Sequence, residues 1–128
     1  MVIVARNDFP RAARLLHAED FARVYAAHNA SAMGPLVMYA AKRDGLHSPR
    51  PRLGLSVSRK IGGAVVRNRW KRHLREAFRQ VQEELNPHFD FIIVVRSGLP
   101  QSGAMSLNKT RRLVLRLATR VIDRLRQS

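Results

Sequence analysis

Between Lys60 and Glu76 the chain reads KIGGAVVRNRWKRHLRE, and Lys60, Arg67, Asn68, Arg69, Lys71, Arg72 and Arg75 stand there with Glu76 as the one acid among them. From Arg67 onward the spacing suits one helix, so like charges meet at separations of three and four residues and repel. Folding has no need of such repulsion, and ordinary solvated helix faces mix both signs. The chemistry that uses this face is contact with a polyanion. A forked guanidinium pairs two phosphate oxygens at once and also stacks on bases. Asn68, uncharged inside the run, has two readings: a hydrogen bond to a sugar or base, or a tie from the helix start to the neighbouring strand. Gly62 and Gly63 do not make a phosphate loop, because the lysine precedes them. They predict a tight strand-to-helix turn that brings Lys60 close to the arginines.

A second set of candidates is aromatic. Phe21 and Tyr25 lie four apart, and Tyr39 projects from a strand on the side opposite Leu36, Met38 and Ala40. Phe21 fits a core position as well as a cleft. The hydroxyls of Tyr25 and Tyr39 need water or a partner, which sets them at the edge of a cleft. Gly54 and Ser56 carry almost no bulk on their strand face. With the three rings they outline a shallow groove with stacking platforms, suited to single-stranded nucleic acid and little concerned with base identity. Trp70 falls on the inner stripe of its helix and is read as core.

Self-sufficient catalysis is not supported. A two-metal nuclease needs carboxylates that converge. The 9 acids are scattered, and the adjacent Glu83 and Glu84 diverge on a helix. The 5 histidines share no spacing that would pair an acid with a base; His73, among the arginines, reads as a surface or RNA contact. The chain has no cysteine and no G-x-S-x-G. No catalytic residue and no metal ligand is therefore assigned.

The elements that must position these groups follow from periodicity. Asp20 opens a helix to about His28, with Phe21, Val24, Tyr25 and His28 on one face. Asn29 to Pro35 reads as a loop, and Leu36 to Lys42 as a strand. Arg52 to Ser58 alternates, with Leu53, Leu55 and Val57 inward. The pattern also admits a short extra strand near Arg59 to Gly62. The basic helix runs from about Ala64 to Leu85 on a stripe of Val66, Trp70, Leu74, Phe78, Val81 and Leu85, and ends at Asn86 and Pro87. Phe89 to Val95 suits an interior strand buried on both faces. A last helix, capped by Asn108, runs to Arg126 with Val114, Leu117, Val121 and Leu125 inward. Arg112, Arg116, Arg120 and Arg124 recur every four residues on another of its faces. The order predicts an α+β fold, a small sheet with packed helices.

At 128 residues and 45% hydrophobic content, the chain suits one domain with a modest core, residues 1–128, of which about 1–14 are expected to be flexible. The 24 Lys+Arg against 9 Asp+Glu give a net charge of +15. That field concentrates polyanions, either nucleic acid or an anionic membrane surface. No stretch approaches the ~20 apolar residues of a membrane span, and Met1 to Ala5 is too short for a signal peptide. The absence of cysteine fits a reducing cytoplasm.

The block from Ser56 to Glu76, SVSRKIGGAVVRNRWKRHLRE, closely resembles the signature of the bacterial ribonuclease P protein component. RLL followed by EDFARVY, LVMYAA and DFIIVVRSG support the resemblance, which covers most of the chain. It implies a two-layer α/β sandwich with a small mixed sheet and a left-handed βαβ crossover, against the usual right-handed rule. It implies an auxiliary subunit of an endoribonuclease, monomeric and present once per RNA, that removes the 5′ leader of precursor tRNA by hydrolysis. The catalytic RNA would carry the active site and its magnesium. Lys60, Arg67, Asn68, Arg69, Lys71, Arg72 and Arg75 would contact that RNA, and Phe21, Tyr25 and Tyr39 would line the leader path. Two positions depart from the pattern: Tyr25 where Phe is commoner, and Gly63 where a polar residue is common. Other RNA-binding proteins of this charge class, such as ribosomal ones, are the alternative.

Overall fold

The structure is a computed structural model and describes residues 14, 17–43, 50–96 and 105–126. Four strands form one mixed sheet in the order β1-β2-β4-β3: β1 Ala30–Met33, β2 Leu36–Lys42, β3 Arg52–Val57 and β4 Phe89–Val95. β2 runs antiparallel to both β1 and β4, while β3 runs parallel to β4. Among the described residues three α-helices pack on it: α1 Ala18–Ala26, α2 Ala64–Val81 and α3 Leu107–Arg126.

β4 is the axis of the molecule. Its neighbours pair with it on both sides, and six of its seven residues are buried, as its unbroken apolar run predicts. The pleat divides it. Phe91, Ile93 and Val95 enter the main core with Leu36, Met38, Leu53 and Val57, under Trp70, Leu74 and Phe78 of α2 and Val114, Leu117 and Val121 of α3. Ile92 faces the other way, with Val24 of α1 and Ala41, edged by Phe21, Tyr25, Tyr39 and Val94. α2 and α3 thus form a full helical layer, and α1 partly covers the opposite sheet face.

Several expectations are corrected. The expected loop after α1 contains β1: Ala30–Met33 pairs with Leu36–Tyr39 through a turn at Gly34, whose φ of 58° suits glycine. The stretch Arg59–Ile61 is a 3-10 turn and not a strand. α2 stops at Val81, and a 3-10 turn, Gln82–Glu84, leads to Leu85. Asp20 lies within the first turn of α1, whose N-cap is His17, and Asn108 lies within α3, where Ser106 Oγ accepts from the Lys109 amide at 3.1 Å. Asp20 instead pairs with Arg23 and Arg52.

The expected flexible segment 1–14 lies outside the described residues except Arg14. That residue bridges Leu53 in parallel fashion, adding to the free side of β3. No described helix is long and apolar enough to cross a membrane.

Candidate RNA interface

α2 enters from a turn that only glycine suits. Gly62 has φ 156°, and a Cβ there would approach Val66 Cβ to 3.0 Å. At Gly63 a Cβ would meet nothing within 4 Å, so the polar residue common at this position has room. Arg67 Nε donates to the Gly62 carbonyl at 3.2 Å and fastens the turn. Arg67, not Asn68, makes the local tie. Lys60 stands exposed on the 3-10 turn just before the helix.

With Trp70, Leu74 and Phe78 fixed in the core, the helical period sets the opposite face. Asn68 stands three and four residues before Lys71 and Arg72, and Arg75 four and three after them; together they line a shallow basin with Glu76, Arg79 and Arg14. Arg69 is exposed outside that lining. Burial and the neighbouring Arg14 guanidinium push the Arg75 guanidinium down from its ordinary value. Burial is the larger of the two causes, and a phosphate arriving beside Arg75 and Arg14 would favour the charged form of both. Glu76 is occupied locally: Arg79 Nε donates to it at 3.0 Å and Gln80 Nε2 at 2.9 Å, which holds its carboxyl at about 2. His73 is corrected. It is half-buried against α3, where its Nε2 lies 2.7 Å from Thr110 Oγ1.

The aromatics occupy the other face of the sheet. Strand register arranges that face in rows: Ala41, Asp90 and Arg52; then Tyr39, Ile92 and Gly54; then Val37, Val94 and Ser56. α1 lies over one end. Tyr25 meets Tyr39 edge-on at 4.8 Å and 83°, and Phe21 lies 6.4 Å from Tyr25. Burial pushes the Tyr25 phenol up, opposed by its hydrogen bond to Ser56. All three rings are half-buried, as are Val37, Val94 and Ser56. The result is an apolar trough with aromatic walls and small residues on the β3 side. Phe21, Tyr25 and Tyr39 come together; they do not join the α2 basin, from which the sheet separates them.

Sequence reasoning missed the end of this trough. Asp90 is fully buried and carries three arginines: Arg23, Arg43 and Arg52. The signal was present, since an acid heading the run DFIIVV must be paired if the strand is interior. Arg14 was missed too, because its approach to α2 is set by the bridge to Leu53 and not by local pattern. Among the described residues no three His, Asp or Glu side chains gather as metal ligands. Asp90 is committed to arginines, so the described residues do not form a magnesium site and no step is assigned through one.

The comparisons agree with this architecture. A family model described as Ribonuclease P matches residues 9–121. The ribonuclease P protein component of Brevibacillus brevis is 36% identical over 110 residues, covering 86% of this chain and 83% of the relative. That of Geobacillus thermodenitrificans is 36% identical over 105 residues, 82% of this chain and 85% of the relative. Among solved structures, the RNase P protein from Thermotoga maritima superposes with a TM-score of 0.72 at 28% identity, covering 84% of this chain and 96% of that one. The Staphylococcus aureus RNase P protein gives 0.68 at 28% identity, over 84% and 93%.

The fold and these likenesses define a small α+β subunit of a tRNA-processing ribonucleoprotein. The chain belongs to the bacterial ribonuclease P protein component family.

Proposed function

We propose that this RNase P subunit grips the catalytic RNA with α2 and holds the 5′ leader of precursor tRNA in the trough between α1 and the sheet. Lys60, Arg67, Asn68, Arg69, Lys71, Arg72 and Arg75 are the RNA-contacting set, and Phe21, Tyr25 and Tyr39 line the leader path. The observation that carries this reading is the separation of two surfaces. A cation-lined basin lies on one side of the sheet and a half-buried aromatic trough on the other. Phosphate charge is met by the first. The second offers rings for stacking and has little to read a base edge with, which suits leaders of varied sequence.

Hydrolysis belongs to the RNA in this reading, with magnesium held by the RNA and substrate. The protein neutralises phosphates and positions the leader, one copy per RNA, in the cytoplasm. Residues 1–128 act as one RNA-binding domain. The β3-α2-β4 crossover is taken as left-handed, the sense that the family resemblance implies.

The test is cleavage of end-labelled precursor tRNA at low magnesium by the cognate RNA alone, the protein alone, and both. Activity in the combined tube only is expected. Cleavage by the protein alone would move the chemistry onto this chain. No stimulation would leave a structural RNA binder.

A further inference from the structure

The arginines of α3 are not used by either surface. Lys109, Arg112, Arg116, Arg120 and Arg124 are all exposed and follow at three- and four-residue steps down one side of the helix. They span about 22 Å at 1.5 Å per residue. Two of them have a structural task. Arg120 Nη1 reaches the Ala32 carbonyl at 3.5 Å, and Arg124 donates to the Ala30 carbonyl. They cover outward carbonyls of β1, the edge strand, a device that blocks pairing with another chain. Among the described residues Arg112 and Arg116 make no such bond. Neither they nor Arg120 has a carboxylate within ion-pair reach among the described residues.

These cations rim a depression whose floor is apolar. Met33 of β1 and Leu115 of α3, both half-buried, lie between Arg112, Arg116 and Arg120. Thr119 donates its hydroxyl to the Leu115 carbonyl at 3.0 Å and closes the floor. Like charges at four-residue steps weaken a helix, so the pattern is costly unless an anion meets it. α3 lies over β1 and β2, whereas α2 lies over β3, at the opposite edge of the sheet. Those edges are about 14 Å apart, three strand spacings. A nucleic-acid segment on α3 is therefore distinct from one on α2.

We infer, building on the RNA-subunit reading, that α3 carries a second binding face for an RNA phosphodiester backbone. Phosphates lie along Lys109, Arg112 and Arg116, and one sugar or base covers Met33 and Leu115. Arg is suited to this task because its guanidinium both forks phosphate and stacks on a base. An anionic membrane would use the charges, but it has no need of a nucleotide-sized apolar floor set between them. The face then lets one small protein tie two RNA segments together.

The test is the salt dependence of binding to the cognate catalytic RNA and, separately, to precursor tRNA. Three proteins are compared: wild type, Arg112→Gln/Arg116→Gln, and Arg69→Gln/Arg72→Gln. Removing two phosphate contacts should lower the slope of log affinity against log salt by about 1.4 to 1.8. The α3 pair should show this loss with one of the two RNAs, and which one it is identifies the source of the backbone. An unchanged slope with both RNAs, while the α2 pair loses its share, would overturn the α3 face and leave the subunit reading intact. An unchanged slope for both variants would overturn that reading as well. Binding to phosphatidylserine-rich vesicles that the α3 pair abolishes, with RNA slopes unchanged, would assign the face to membrane. Both substituted pairs are solvent-exposed and clear of the core, so matching thermal melts are expected and confirm that folding is not the cause.

Discussion

Arg52 holds Asp90 with two atoms of its guanidinium: Nε lies 2.8 Å from Oδ1 and Nη2 lies 2.7 Å from Oδ2. The two residues are register partners on β3 and β4, so the fork lies across the strand pair. Arg23 adds α1 to the same carboxylate, and Arg43 adds the end of β2. The hydrogen bond to Asp90 raises the Arg52 guanidinium above its ordinary value, whereas burial lowers that of Arg43. One fully buried acid thus fixes α1 over the sheet and sets the end wall of the trough.

Asp90→Asn should accordingly be severe. It leaves three guanidiniums facing one another around a neutral amide, and breaking a buried pair costs about 3–5 kcal/mol. Urea melts should show that loss. Leader-bearing substrate should bind more weakly because α1 is no longer held. A loss below about 1 kcal/mol would mean that the arginines are satisfied by solvent and the cluster does not organise α1.

The trough makes its own prediction. Tyr39→Ala should weaken holoenzyme binding of precursor tRNA by about 1–3 kcal/mol, the range for one lost stacking partner, while mature tRNA is held as before. Tyr39→Leu keeps apolar bulk beside Ile92 without the ring and separates stacking from packing. Equal losses for precursor and mature tRNA would remove Tyr39 from the leader path.

What the chain reveals by itself depends on the range of the cause. The stripes of α2 and α3 were legible because a helix repeats its inward residues locally, and Trp70, Leu74, Val114 and Leu117 are all buried. β4 was legible because burial on both faces leaves an unbroken apolar run. β1 was not. Its sequence, ASAM, has little strand character and becomes a strand by pairing with Leu36–Tyr39. The basic face of α2 was visible as charge, but its closure by Arg14 depends on a bridge to Leu53, far along the chain. The role of Asp90 depends on three arginines from three separate segments. His73 was misplaced because its neighbours in sequence are cations, while its neighbour in space is Thr110.

On α2 the arginines are not equivalent. Arg69→Gln and Arg72→Gln should each lower the salt slope of catalytic-RNA binding by about 0.7–0.9 and change stability by no more than about 0.5 kcal/mol. Arg67→Ala should add a folding loss of about 0.5–1.5 kcal/mol, because its Nε bond to the Gly62 carbonyl fastens the turn. The sequence alone predicts no such loss. Denaturant melts of the three variants compared side by side decide it: equal midpoints would return Arg67 to a purely RNA-facing role.

His73 should make folding acid-sensitive in a definite window. Thr110 gives its hydroxyl hydrogen to the Ser106 carbonyl at 2.9 Å, so its oxygen accepts from His73 Nε2–H. Burial pushes the imidazole below its ordinary value of 6.5. The unfolded chain then takes up a proton near pH 6.5 that the folded chain still resists. Stability contributed by neutral His73 is present above pH 6.5 and is lost as pH falls from there through the lower folded value. Glu76 acts in a separate, more acidic window. Its carboxyl is held at about 2, against 4.5, by Arg79 and then Gln80, so its share is lost only as pH falls from 4.5 through about 2. Its exposure keeps that share small. Urea midpoints at pH 8, 6 and 5 should fall for wild type and stay nearer level for His73→Gln. The same decline in both proteins would place the acid-sensitive group elsewhere and free His73 from the α2-α3 contact.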